Sequence, residues 1–246
     1  VENGGVIRSG RNIEIHGTAG SATLIAGGDV IISRGIQGGG SISAKGNVFA
    51  DFIENTTVVA GGSVQSNTIL NANISAEDKV ITTGKKGAVI GGYVHGFKGI
   101  EAMTAGSDAE VKTILHSGYE QRSYERYLEL RRKESEIKDK LADLSDGSRD
   151  KRMGGFGMSM AAEIRMVEQD KIKESLAEEL GKVRDEKEML EILMEESRGA
   201  YIKVDGNIYR NVVIGVNVEQ LTLNRGTGFM NYTADNGVLE GNVIVH

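Results

Sequence analysis

The residues in this chain that could do chemistry are few and stand apart. Its four histidines are His16, His95, His116 and His246, and none falls into a Ser/His/Asp set or a metal-ligand spacing. There is no cysteine, so no disulfide and no thiolate metal site can form. The run Gly84-Lys85-Lys86-Gly87 puts two ammonium groups side by side. A phosphate loop would need a Gly four residues before its Gly-Lys and a Ser or Thr after it, and neither is present. Lys85 and Lys86 are therefore expected on a corner or surface loop, as a local anion or partner contact. Gly27-Gly28-Asp29 has the start of a calcium-binding repeat, but the full nonapeptide is missing and the Asp is not repeated, so calcium is rejected. One further cluster combines Arg149, Lys151 and Arg152 with Met153, Phe156, Met158 and Met160, among Gly154, Gly155 and Gly157. Adaptable apolar side chains beside basic ones suit a partner surface or a brief membrane touch. The plainer reading is that Met158 and Met160 begin a helix core.

The elements around these residues are set by a repeat. A small residue, a spacer and an apolar β-branched residue recur at Gly10-Arg11-Asn12-Ile13, Gly28-Asp29-Val30, Gly46-Asn47-Val48, Gly62-Ser63-Val64, Asp78-Lys79-Val80 and Gly99-Ile100. The steps are mostly 16 to 18 residues, the period of a β-helix. A second mark sets an apolar residue two before a small one: Leu24/Ala26, Ile42/Ala44, Val58/Ala60, Ile74/Ala76 and Val94/Gly96. A third runs Ile36, Ile53, Ile69, Ile90. Three marks per period predict three short strands per rung, each pointing one or two aliphatics inward. One such rung cannot repay the entropy of ordering its own backbone, so rungs must stack. The irregular step favours a right-handed parallel β-helix over the left-handed form. With 34 Gly and no Pro, glycine must serve most corners. Aromatic content is 5% with no Trp, which suits a narrow aliphatic stack better than a large globular core.

Charge divides the chain. Residues 120–198 hold 17 Lys/Arg and 21 Asp/Glu but only 5 of the 34 Gly. The expected organisation is a β-helix over 1–118, an antiparallel helical hairpin over 119–199 with its tip at 145–160, and a β segment over 200–246 that completes or caps the rod. The first helix carries the seam Tyr127, Leu130, Glu134, Ile137, Leu141, Leu144, and the second Leu176, Leu180, Val183, Lys187, Leu190, Met194. Each heptad seam has one charged interruption. The Gly cluster is expected to stop the first helix after about 25 residues, or about 37 Å. Glu129/Lys133, Glu134/Lys138, Glu136/Lys140 and Glu178/Lys182 are spaced for i,i+4 pairs. Past residue 200, Ile202/Val204, Val212/Ile214 and Leu221/Leu223 read as strands, with turns at Asp205-Gly206-Asn207 and Asp235-Asn236-Gly237. No apolar stretch of 18 residues exists, so no membrane-spanning helix or stable membrane insertion is expected. The net charge of −6 argues against general nucleic-acid binding. The chain opens inside repeat-like sequence, which reads as a fragment lacking its original N-terminus.

Several segments resemble the flagellar assembly protein A family: GIQGGG (35–40), FIEN (52–55), the AGG corners at 26–28 and 60–62, TILN (68–71), GKKGAVIGG (84–92) and KVDGNIY (203–209). The order also matches: β-helical repeats, a coiled-coil insertion, then a terminal β segment. Family members often carry Pro-Gly where this chain has Arg210-Asn211. The resemblance implies a cytoplasmic bacterial protein of flagellar assembly or polar organisation. It implies action through protein partners, with no cofactor and no catalytic residues to carry over. The rod is also similar to the C-terminal domain of the division inhibitor MinC and to bactofilins. The expected function is a self-associating, non-enzymatic scaffold, a homo-oligomer through rod or hairpin. Two other readings stay open: a polymer formed through exposed rung edges, and a β-helical acyltransferase with His95 at a rung edge.

Overall fold

The computed structural model describes residues 4–84, 87–152, 160–235 and 238–243. Two compact units result, one from Val1–Glu120 with Glu196–His246 and the other from Gln121–Glu195.

The first unit is a parallel β-solenoid of about six turns. Three ladders of aliphatics run through its core. One passes Ile13, Val30, Val48, Val64, Val80, Ile100 and Ile202. A second passes Ala19, Ile36, Ile53, Ile69, Val89, Ala105 and Ile208. The third passes Leu24, Ile42, Val58, Ile74, Val94, Leu115 and Ile214. Every one of these side chains is buried. The first and third ladders follow the sequence marks residue for residue. The second departs at one place: Val89, not Ile90, stacks on Ile69, and Ile90 stands opposite Leu70. This turn is longer than its predecessors, and it sets two adjacent β-branched residues where a single inward one is needed. Side chains alternate across a strand, so only one of them can face in.

Two kinds of corner bend the rungs. One uses the left-handed region in successive turns, at Gly39 (φ 87°), Asn55 (49°), Asn71 (47°) and Gly91 (71°), then Glu110 (53°) and Asn211 (61°). Asn is among the few side chains that tolerate this region. At residue 211 it supplies the conformation that a Pro-Gly turn would give with glycine. The other corner carries the recurring glycines. Asn12 Oδ1 accepts from the Asp29 N–H (2.9 Å), Asp29 Oδ1 from Asn47 N–H (2.7 Å), and Asn47 Oδ1 from Ser63 N–H (2.8 Å). A Cβ on Gly28, Gly46 or Gly62 would lie 2.1, 2.2 or 2.4 Å from these same oxygens. The glycine of each mark thus clears space for the polar side chain of the turn before. The spacer is the residue that ties one turn to the next.

The expected turn at Asp205-Gly206-Asn207 is instead a register shift inside the single strand Tyr201–Ile208. This strand belongs to two ladders, so the segment serves as a rung corner rather than reversing the chain. Reversal comes later. Strand Glu219–Leu223 runs antiparallel to Val212–Val216, strand Thr227–Asp235 antiparallel to Tyr201–Ile208, and strand Val238–Val243 antiparallel to Thr227–Asp235. Asn236 and Gly237 lie outside the described residues.

The second unit is a hairpin of two helices, α1 (Gln121–Arg152) and α2 (Met160–Glu196). At 32 residues, α1 outruns the expected 25 by continuing through Gly147. A lone helical Gly costs only about 1 kcal/mol relative to Ala, too little to end a helix. Leu130, Ile137, Leu180 and Val183 form the buried seam, flanked by Leu141, Leu176 and Leu190. The two charged interruptions meet: Glu134 accepts from Lys187 (2.7 Å) and Arg184 (3.2 Å) of the other helix and pairs with Lys138 (2.7 Å) of its own. Arg126–Glu186 (2.7 Å) and Lys133–Glu179 (2.7 Å) add cross-links that fix an antiparallel register. Of the expected i,i+4 pairs, Glu134/Lys138 and Glu178/Lys182 form. Lys133 reaches across the hairpin instead.

Hydrogen bonds from Lys138, then Lys187 and Arg184, hold the Glu134 carboxyl down at about 2. A carboxylate with a depressed folded pKa contributes stability above its unfolded value, 4.5, and loses it as pH falls from there toward 2. The hairpin should therefore unfold more readily as pH drops through that window. The substitution Glu134→Ala should lower its melting temperature at pH 7, leaving the half-buried Lys187 only the more distant Glu191, at 4.0 Å. The double substitution Glu134→Leu with Lys187→Leu should restore or raise it, because a well-packed apolar pair avoids the desolvation cost of the ions. Thermal unfolding followed by circular dichroism separates these outcomes.

Candidate functional site

Tyr93, His95, Thr113 and His116 lie on the two strands Ala88–Gly96 and Thr113–Ser117, just before the chain leaves the solenoid for the helices. His95 and His116 are direct cross-strand partners in adjacent turns. Their rings sit 5.2 Å apart, and Tyr93 lies 6.4 and 6.5 Å from them. The next position in this row is Gly215, where a Cβ would lie 2.7 Å from the His116 ring. Glycine there makes room for the imidazole.

Each imidazole holds a backbone carbonyl. His95 Nε2 lies 2.8 Å from Gly118 O, and His116 Nε2 lies 2.8 Å from Asn217 O. A carbonyl oxygen only accepts, so both Nε2 atoms carry the proton. Asn217 adds a clasp: its N–H donates to Ser117 O (2.8 Å) and its Oδ1 accepts from Tyr119 N–H (3.2 Å). Gly118 takes φ 84°, and a Cβ there would lie 2.0 Å from Asn217 Oδ1 and 3.2 Å from Ala200. The residues on either side of the insertion, 118 and 200, are thus packed together. Tyr93 Oη donates to Glu120 (2.9 Å), and burial, then this bond, pushes the phenol pKa up.

A second cluster fixes the returning strand. Tyr201 reaches over Gly99 to Lys79, two turns away, where the ammonium donates to its hydroxyl (3.0 Å) and lies 5.3 Å from its ring centre. The hydroxyl donates to Glu101, and Lys79 lies 3.5 Å from that carboxylate. A Cβ on Gly99 would come within 2.9 Å of the Tyr201 ring. The hydrogen bond to Tyr201 raises the Lys79 pKa, while burial raises that of Tyr201. Together the two clusters form a collar that binds the chain before and after the insertion to the rod.

Burial, more than any neighbouring charge, lowers the His116 pKa below 6.5. Its Nδ1 is buried without a partner, so a proton there would find no acceptor. The unfolded chain then binds protons that the folded chain refuses. Stability is unaffected above pH 6.5 and falls as pH drops from 6.5 toward the folded value. A His116→Gln variant keeps a donor for Asn217 O and loses the titration. Urea unfolding at stepped pH should show the wild type weakening below pH 6.5 while the variant does not.

The residues singled out by sequence are placed unevenly. Lys85 and Lys86 lie outside the described residues, between Gly84 and Gly87, whose backbones bond at 3.0 Å. Met153, Phe156 and Met158 also lie outside them. Arg149, Lys151 and Arg152 fall in the last turns of α1, with undescribed side chains. Met160 opens α2 and is 78% exposed. Asp29, weighed for calcium, uses a carboxylate oxygen in the corner ladder. Among the described residues no cluster of His, Cys, Asp or Glu could hold a metal ion. A groove of about 230 Å³ between Phe49, Asp51, Gln65, Asn67 and Thr83 is open, and its polar groups already pair along Asp51–Asn67–Thr83. No described helix is long and apolar enough to cross a membrane.

Comparison with curated proteins and with solved structures returned no match. The family model described as Flagellar Assembly Protein A beta solenoid domain matches residues 1–239.

Proposed function

The chain belongs to the flagellar assembly protein A family, and on that premise we propose that it is a non-enzymatic cytoplasmic scaffold, presenting the helical hairpin to protein partners and to its own copies. The observation that carries this reading is the use of the rod's reactive groups. His95 and His116 hold backbone carbonyls, and Lys79, Glu101 and Tyr201 hold one another. Their chemistry is spent on anchoring an insertion, which is what a presenting scaffold requires. The acyltransferase reading needs His95 Nε2 as a base, yet that atom already donates a proton. The polymer reading needs open parallel rung edges, and at the end formed by Val212–Val216 and Tyr201–Ile208 antiparallel strands occupy both ladders.

The test is genetic. Replacing the gene in its source bacterium with His95→Gln should leave flagella intact, since Gln keeps a donor for Gly118 O. A variant with residues 145–160 replaced by a short Gly/Ser turn should lose them while purifying as a folded solenoid. Loss of flagella in a folded His95→Gln strain, or normal flagella without the hairpin tip, would overturn the proposal.

A further inference from the structure

Helix α2 has two apolar faces. One is the seam that packs on α1, through Leu176, Leu180, Val183 and Leu190. The other lies roughly 180° around the helix at 100° per residue and is exposed: Ile164 is 52% exposed, Val167 56%, Met189 71% and Ile192 52%. These four are not contiguous. Two stand near one end and two near the other, with Lys171, Glu174, Glu178, Lys182 and Asp185 between them on the same face.

From Ile164 to Ile192 the order of this face is a palindrome about Glu178; one step further out the exposed Met160 mirrors Glu196. Ile164 mirrors Ile192, Val167 mirrors Met189, Lys171 mirrors Asp185 and Glu174 mirrors Lys182. Each pair of residue numbers averages 178. A mirror order of this kind fits an antiparallel second copy of the same helix. Apolar then meets apolar, and every mirrored charge meets its opposite: Ile164 on the partner's Ile192, Lys171 on the partner's Asp185, Glu174 on the partner's Lys182. The two Glu178 carboxylates meet on the axis, each already held by Lys182 of its own helix at 2.7 Å. Shifting the register by one step of the face, so that Ile164 meets the partner's Met189, sets Lys171 on Lys182 and Glu174 on Glu178. Charge therefore selects one register and rejects its neighbour. The mean step along the face is 3.5 residues, the spacing that keeps two helices in contact by a left-handed supercoil.

We infer that this face is a homodimer interface: two chains pair α2 against α2, antiparallel, on a two-fold axis at Glu178. The contact is isologous, so each pair occurs twice. It spans about 42 Å of helix, and the two Glu196 residues, where each chain returns to its solenoid, stand roughly 54 Å apart along it. The inference rests on the reading of the hairpin as a protein-contact element and names a second copy as its occupant.

Sedimentation equilibrium of the full chain tests it. The wild type should be dimeric at micromolar concentration. A Lys171→Glu variant should weaken the dimer roughly tenfold or more, because the axis counts each like-charge contact twice. The double variant Lys171→Glu with Asp185→Lys should recover it, and Lys140→Glu on α1 should leave it unchanged. The chain has no native cysteine, so Glu178→Cys should form a disulfide-linked dimer on oxidation while Lys140→Cys does not. A monomeric wild type, a dimer indifferent to Lys171→Glu, or no recovery in the double variant would overturn the pairing. A monomeric wild type would also remove self-association from the scaffold reading; its partner-presenting part falls only to the flagellar phenotypes above.

Discussion

Replacing Ile74 with aspartate should abolish the folded solenoid. Ile74 is fully buried between Val58 and Val94 in the third ladder. The substitution removes an aliphatic worth roughly 2–5 kcal/mol in a core. It also puts a carboxyl where no donor waits, a further penalty of several kcal/mol. Together these match the whole stability of an ordinary domain, about 5–15 kcal/mol. The loss should not stay local, since each turn of a solenoid is held by the turns on either side. Hydrogen exchange should show protection lost over the strands that flank residue 74, while the helical circular dichroism signal persists from the separate hairpin core. The control is Ser75→Asp, one residue along and facing out, which should cost less than about 1 kcal/mol. If Ile74→Asp purifies as a folded protein with native exchange protection, the ladder does not carry the fold.

Gly92→Ala should produce the largest effect of any single added methyl group. Gly92 takes φ 83°, where an L side chain is strained, and a Cβ there would lie 2.1 Å from Ala72 O and 2.8 Å from Ala72 N. Backbone of the preceding turn cannot swing aside as a side chain can. Left-handed strain costs about 1–2 kcal/mol, and parting two paired strands brings the total to about 3 kcal/mol, or a fall in Tm of roughly 6–12 °C. Gly17→Ala isolates the second contribution. Gly17 is also left-handed, at φ 119°, but nothing lies within 4 Å of its Cβ position. It should cost the strain alone. Equal melting temperatures for the two variants would show that the close approach of the turns is not what glycine serves at 92.

Much of the rod was legible because its ladder residues are chemically uniform. Valines and isoleucines at steps of 16 to 18 admit one stacking register, and the register formed. The slip from Val89 to Ile90 came where the turn lengthened and a β-branched pair offered two candidates. The polar spacers were harder. Asn12, Asp29 and Asn47 are ordinary turn residues, and their reach into the next turn is visible only once strands are stacked. His95 and His116 stand 21 residues apart and read as isolated until that same stacking makes them neighbours. In the hairpin, Glu134 and Lys187 each read as an interruption. That they answer each other depends on the antiparallel register, which the sequence of either helix alone does not set.

The collar also shapes how the chain reaches its native state. Strand Thr113–Ser117 pairs with Val212–Val216, so the last parallel turn joins residues about a hundred positions apart. For a flexible loop of that length, closure is slower and entropically costlier than for the 16-residue steps before it. The hairpin changes this. Its contacts are between neighbouring helices, and once zipped through Arg126–Glu186 and Leu130–Val183 it draws the two ends of the loop together. The helices should then fold ahead of the final turn and hand it a short connection to close. Weakening the hairpin at Glu134 would slow the last step of solenoid formation, even though Glu134 belongs to none of its strands.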